Sequence, residues 1–430
     1  MAGGEATLIR ESTAVPIARP SPRFLLPSVS GNRVLPSLPP LPARDLVLDV
    51  GIQAKFEGWA DSTDLWKQWV AKLRPLHEPL WRELGVLEGI LATTHRVRRE
   101  SEGALLQLVP FWSPPTNTFV FPWGEATVTL EDIVALAGLP ILGFPVREPR
   151  YSDRLEMADE RSLAAVRAVL LMDQREGTGA SWAEHFLLRQ NRHQHQPEEA
   201  GGGRDEREQR LEHAAFLSLW LARFVLPVPS DSGSDDIVPG EEVLPIAVRL
   251  AHGHSAALAP AALASIYSDL SALHRHFIHS KRTEAPSVSA PMHILQLWVW
   301  DRFPELDPAT AATASFPDPA DAEDVLLPRA ARWHDVHRAV DPGYARAVFR
   351  APKEFLWRPY GSSFWVRRRG HGGARAPLSS FARCLQVCEL VGVDYIEQYN
   401  PHRVARQLGF DQDVPGTKIM HSPFRVTSPV

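Results

Sequence analysis

The sequence predicts a mainly α-helical single domain with a small β-hairpin and minor strands, behind a disordered N-terminal leader. Three observations carry that expectation. Apolar residues recur three and four positions apart in many segments, often around one of the 13 tryptophans, as in helices with one buried face. A single stretch, 111–146, contains two strands, a turn, a capped helix and a stop. Residues 1–48 are rich in Pro and Ser, with few periodic apolar positions, too few to offset the entropy of ordering them.

The stretch FWSPPTNTFVFPWGEATVTLEDIVALAGLPILGFPV organises the rest. Thr118–Phe121 and Ala126–Thr129 read as short strands, with Pro122 to Glu125 as the turn. Thr129 caps a helix and Asp132 completes a capping box. The helix runs through Leu130, Ile133, Val134 and Leu136 and stops at Gly138, with Pro140 behind it.

The other elements follow in order. Asp61–Leu73 is expected to be helical, and Leu80 to Leu91 a second helix with Pro79 near its start. Glu160–Gln174 and Trp182–Arg192 are further helices. Asn191–Arg210 is polar and Gly-rich and reads as an exposed loop. Leu211–Leu226 is a buried helix, followed by an acidic loop over 229–242. Leu244–Leu250, Pro260–His279 and Met292–Phe303 are helices, and 309–324 is a loop. Ala330–Ala339 and Tyr344–Arg350 read as short helices, Phe355–Trp357 and Ser363–Arg367 as strands, and Leu378–Val391 as a helix. Asn400 caps a last helix that ends at Gly409. The domain is placed at 49–414, with 415–430 as a disordered tail.

A net charge of −5 gives no general attraction to nucleic acid, although local basic patches remain open. Lys is scarce, at six residues, so nearly all positive charge is Arg, which favours fixed bidentate or stacked contacts. With only two cysteines, Cys384 and Cys388, a disulfide framework is excluded and a reducing compartment is expected. The N-terminus lacks an apolar signal core, and no run reaches the length of a membrane span.

Chemistry-bearing patterns are sparse. GxxxxGK[ST], GxSxG, HExxH and a strand-led GxGxxG are all missing. His193 and His195 lie in a polar stretch without Cys partners. His276 and His279 share a helix face but His274 does not. No catalytic residue, cofactor or metal is therefore expected. Two arginine-bearing segments are the candidate interaction surface. Arg367, Arg368 and Arg369 form a short basic run suited to phosphate contact. In YNPHRVARQLGFDQDVP, His402, Arg403, Arg406, Asp411 and Asp413 form either an ion-pair network locking the last helix or a polar binding surface.

The stretch at 111–146 resembles the signature of the plant mobile domain family. LGVLEGILATTHRV, FLSLWLARFVLP, LAPAALASIYSDL, LQLWVWDRFPEL and YNPHRVARQLGFDQDVP are similar to the same family, over roughly residues 50–415. The family is often labelled aminotransferase-like, but Lys281 lacks the glycine-rich phosphate cup of a pyridoxal-phosphate enzyme. The resemblance implies a non-enzymatic nuclear interaction module linked to transposon silencing or meristem maintenance, as in proteins similar to MAINTENANCE OF MERISTEMS. It implies a phosphatase-like plant nuclear protein as partner. The alternative is a transposon-derived, nucleic-acid-associated protein using its Arg-rich surfaces, and the end soon after Asp413 reads as a truncated copy. The expected location is the nucleus, with the cytoplasm as the alternative.

Overall fold

The computed structural model describes residues 15–16, 53–99, 102–147, 149, 151, 153–175, 181–193, 202–227, 238–279, 285–308, 329–360, 364–367 and 376–411. The fold is mainly α-helical, and the described residues add three small sheets.

After the short strands β1 (Val15–Pro16) and β2 (Lys55–Phe56), α1 (Asp64–Leu84) runs as one helix where the sequence suggests two. It passes through Pro75 and Pro79. An interior proline costs about 3 kcal/mol, yet the buried stripe Trp66, Trp69, Val70, Leu73, Trp81 and Leu84 keeps one helical register across both. Three of its rings surround Phe216, with centroids at 4.8 Å (Trp66), 5.5 Å (Trp69) and 5.3 Å (Trp81). That aromatic burial offsets the two missing backbone donors.

Helices α2 (Leu87–Ala92) and α3 (Glu102–Leu106) lead to β3 (Trp112–Ser113), β4 (Thr118–Phe121) and β5 (Gly124–Ala126), an antiparallel sheet in that order. Phe121 pairs with Gly124, so the turn is Pro122–Trp123 and the second strand is Gly124–Ala126, not Ala126–Thr129. Beyond Ala126 a side chain replaces the next strand. The Gln407 amide accepts from Thr127 N at 2.8 Å and donates to Thr127 O at 2.9 Å. Helix α4 (Leu130–Ala137) then starts at the expected Thr129–Asp132 capping box. It ends at Gly138, with φ 63°. A Cβ on Gly138 would lie 2.6 Å from Gly89 N, so the stop is also a close helix contact that only glycine permits.

Next come α5 (Arg154–Arg175), α6 (Trp182–His193) and α7 (Gly202–Trp220), which continues as a π-helix over Leu221–Val225. Residues 202–210, expected as loop, are the start of α7, because the run of Arg, Glu and Gln there favours helix. Residues 194–201, with His195, lie outside the described residues, as do 228–237 and 309–328. Of the expected acidic loop, Glu241–Val243 forms a 3-10 turn.

Helices α8 (Leu244–Ala251) and α9 (Leu258–His279), strand β6 (Ser287–Val288) and helix α10 (Met292–Arg302) follow. Only Arg329–Trp333 of the expected 330–339 helix forms, as a 3-10 turn. After α11 (Pro342–Arg350), residues 355–357 are irregular rather than a strand. Phe355 and Trp357 both turn toward Trp123, at 4.7 and 6.0 Å, and the backbone of 356–357 bonds to Arg302 instead of to a neighbouring strand. The expected strand at 363–367 is helix α12 (Phe364–Arg367). The expected helix 378–391 is split into α13 (Ala376–Cys384) and β7 (Cys388–Val391), because β7 pairs with β8 (Ile396–Tyr399) across a tight turn. A 3-10 segment, Pro401–Leu408, closes at Gly409. β1 lies on the other side of β7, and β2 pairs in parallel with β6.

One continuous core joins these elements. Helix α7 packs on α8 and α5, while α4 packs on α9 and α10. The start of α4 therefore sits where the central helices, the hairpin and the C-terminal strands meet.

Candidate functional site

Two charged arrangements converge on that point. The first is buried. Asp132 and Arg302 have no solvent exposure, and Arg302 Nη2 donates to Asp132 Oδ1 at 2.6 Å. Tyr360 OH donates to the same oxygen at 2.6 Å. The other oxygen accepts from Thr129 N and Thr129 Oγ1, both at 2.7 Å. Both carboxylate oxygens are thus held by the chain's own donors. Arg302 Nη1 donates to Leu356 O and Trp357 O at 3.1 and 2.8 Å, which pins the irregular 355–360 segment to α10. Burial opposes the charge of Arg302, but Asp132, Tyr360 and Glu131 together outweigh it and the guanidinium is held more firmly protonated. Burial likewise pushes the Tyr360 hydroxyl well up. Next to them Arg329 grips Asp301 with two bonds of 2.7 Å. Burial raises the Asp301 carboxyl, against the pull of Arg329.

Glu131 differs from Asp132. It is half-buried, and Trp365 Nε1 donates to it at 2.7 Å. Burial pushes its carboxyl up to about 7, against that bond, with Asp132 adding to the rise. It can therefore exchange a proton near neutral pH.

The second arrangement lies on the surface made by the C-terminal segment. Arg403, in the 3-10 segment, forms a bidentate pair with Glu125 of the hairpin, at 2.8 and 2.6 Å. Thr118 Oγ1 donates to the same carboxylate at 3.0 Å. Arg406, three residues on, points outward. It is exposed, with its guanidinium carbon 4.2 Å from the Trp357 ring centroid. Exposed Arg358 and half-buried Phe410 extend this patch. Phe410 stacks on Phe381, and Phe381 meets Trp365 at a tilt.

The structure thus separates the candidate surface residues. Among the described residues, Arg403 takes Glu125 and not Asp411. His402 is half-buried and Asp411 exposed. Arg367 ends α12, while Arg368, Arg369 and Asp413 lie outside the described residues. Sequence reasoning missed Trp357, Arg358 and the buried set around Asp132. One signal was present: Asp301 and Arg302 interrupt the otherwise apolar run LQLWVW. A charge pair within such a helix must find buried partners.

Cys384 and Cys388 do not share a helix face. Cys384 ends α13 and Cys388 begins β7. Burial pushes the Cys388 thiol up to about 12 and that of Cys384 well above its usual range, which makes both poor nucleophiles. Among the described residues, no group of three or more His, Cys, Asp or Glu side chains could hold a metal ion. No helix among them is long and apolar enough to cross a membrane.

No solved structure matches this fold. A curated protein of Arabidopsis thaliana named "Serine/threonine-protein phosphatase 7 long form homolog" is 26% identical over 320 residues, covering 72% of this chain and 21% of the relative. The chain spans about a fifth of that relative's length. The family model described as plant mobile domain matches residues 85–427, a span that holds the hairpin, α4, the Asp132–Arg302 pair and the C-terminal surface. The chain belongs to the plant mobile domain family.

Proposed function

We propose that this chain is a non-enzymatic interaction module that docks a protein partner on the surface of Trp357, Arg358, Arg406 and Phe410. One observation carries the reading: Arg406 is exposed and stacked on a half-buried indole, while Arg403 beside it is taken up by Glu125. Trp and Arg are enriched among the residues that dominate interface energies. A stacked guanidinium also loses little freedom on binding. The saturated hydrogen bonding of Asp132 supports a structural use of the buried charges.

The partner in this reading is a phosphatase-like protein. The Arabidopsis relative carries a serine/threonine phosphatase name, and most of its length lies outside the match. Nuclear residence and a part in transposon silencing or meristem maintenance belong to the same proposal. Exposed Arg358 and Arg406 also favour a second reading, association with nucleic acid.

Calorimetric titration of the purified chain with the unmatched portion of the Arabidopsis relative tests the first reading. Binding is expected, and Arg406→Glu and Trp357→Ala should each weaken it at least tenfold, typical of central interface residues. No binding, or binding indifferent to both changes, overturns it. A labelled DNA duplex provides the second arm. Affinity that falls steeply between about 50 mM and about 200 mM salt supports the nucleic-acid reading.

A further inference from the structure

Arg358 and Arg406 rest on each other's chain segments. The Arg406 guanidinium carbon lies 4.2 Å from the ring centroid of Trp357, the residue before Arg358. The Arg358 guanidinium in turn lies against Gly409, just past Arg406 in the chain. A Cβ on Gly409 would stand 2.7 Å from the central carbon of that guanidinium. Glycine, with φ 84° at the end of the 3-10 segment, therefore lets the Arg358 fork come close. Both side chains are exposed, so two forks of N–H donors open on one face.

These contacts steady the side chains without spending their charge. Other exposed arginines do spend it: Arg74 and Arg82 on Glu78, Arg96 on Asp61 and Arg98 on Asp335. Arg358 and Arg406 make no ion pair with a carboxylate among the described residues. The Glu131 carboxylate feels the charge of Arg358, but it accepts from Trp365, and burial pushes it up to about 7. Near neutral pH it offsets that guanidinium only in part. Exposed Asp411 follows Gly409 closely in the chain.

Two steadied, unspent guanidinium forks suit a compact dianion. A phosphate monoester carries about −1.5 to −2 charge and offers acceptor oxygens to both forks at once. A carboxylate brings less charge and fills one fork. Nucleic acid presents a run of phosphates, whereas this pair stands beside Glu131 and Asp411 on a chain of net charge −5. The open surface also favours a short phosphorylated side chain, which brings the partner's backbone down onto Trp357 and Phe410. Resting on the docking reading above, we propose that Arg358 and Arg406 clamp a phosphorylated serine or threonine of the protein partner.

Fluorescence anisotropy of the full chain with two labelled pools of degenerate peptides, alike except for a central phosphoserine or serine, tests this at one fixed salt concentration. The phosphorylated pool should bind about tenfold more tightly, the worth of one hydrogen bond to a charged group. Arg358→Ala and Arg406→Ala should each erase most of that preference. Arg74→Ala, which removes an exposed arginine of α1, should leave it intact. Equal affinity for the two pools overturns the clamp. A preference that Arg74→Ala weakens as much as Arg358→Ala does is diffuse attraction and overturns it too. So does a labelled DNA duplex that binds more tightly than the phosphorylated pool through the same two arginines. The docking reading fails separately. If the unmatched portion of the Arabidopsis relative, prepared without phosphate, binds through Arg406 while the two pools bind alike, docking stands and the clamp falls. If that portion does not bind while the phosphorylated pool is preferred, the clamp stands and that partner falls.

Discussion

Asp132 and Arg302 stand 170 positions apart and meet as a fully buried ion pair with a 2.6 Å contact. The pair ties the cap of α4 to the end of α10, and through Arg302 Nη1 to the 355–360 segment. Taking two charges out of water is expensive, and removing one partner leaves the other uncompensated. Arg302→Met should therefore lower stability by about 3–5 kcal/mol. Adding Asp132→Asn should recover part of that loss, because neither position of the pair then carries an uncompensated charge. Urea denaturation of the two variants beside the wild type measures both steps. A double variant as unstable as the single one would show that the pair is not the source of the loss.

Glu131 makes stability depend on pH in a defined direction. Its ordinary value is 4.5 and burial raises it to about 7 in the folded chain. Between those values the folded state holds the proton that the unfolded state has lost. The contribution is full below 4.5 and disappears as pH rises through about 7. Glu131→Gln cannot titrate and can still accept from Trp365. The melting temperature of the wild type minus that of Glu131→Gln should fall from about pH 5 to about pH 8. A constant difference would mean that the carboxyl is ionised throughout.

The histidine pair on α1 and α7 acts in the opposite sense. His77 and His213 stack at 3.8 Å, and Trp81 Nε1 donates to His213 Nε2 at 2.8 Å. Nε2 is therefore the acceptor and the proton of the neutral ring sits on Nδ1. Burial, and His77 beside it, depress His213 well below 6.5. The stability it contributes is present above 6.5 and is lost as pH falls below that value. His213→Gln keeps an acceptor for Trp81 without a titrating ring. It should lose less stability than the wild type between about pH 7 and about pH 5, read as the shift in urea midpoint. Equal losses would place the acid sensitivity elsewhere.

What the sequence made legible was local. The Thr129–Asp132 box and the Gly138 stop depend on residues within one or two turns, and both form as expected. The buried face of α1 was legible too, but its prolines suggested a break that Phe216, far along the chain, prevents. Residues 385–391 show helical spacing in isolation, and only pairing with 396–399 makes Cys388–Val391 a strand. The Arg403–Glu125 pair spans 278 positions, and no spacing rule reaches that far. Arg406 looked like its twin, yet the two differ only because one faces the hairpin and the other faces Trp357.

That difference within one 3-10 segment gives the sharpest comparison. Arg403 holds Glu125 with two bonds, and the carboxylate is 6% exposed. Lysine cannot reproduce the planar fork. Arg403→Lys should therefore destabilise the chain by about 1–3 kcal/mol, as one charge-assisted bond is lost in a buried setting. Arg406 is exposed, and its stacking on Trp357 is worth about 0.5–1 kcal/mol. Arg406→Glu should thus change the melting temperature little while removing partner or DNA binding. Circular-dichroism melts of the two variants, paired with the calorimetric titration, separate the roles. If Arg406→Glu melts as low as Arg403→Lys, Arg406 is part of the lock on the C-terminal segment. Its place on the docking surface would then have to pass to Arg358.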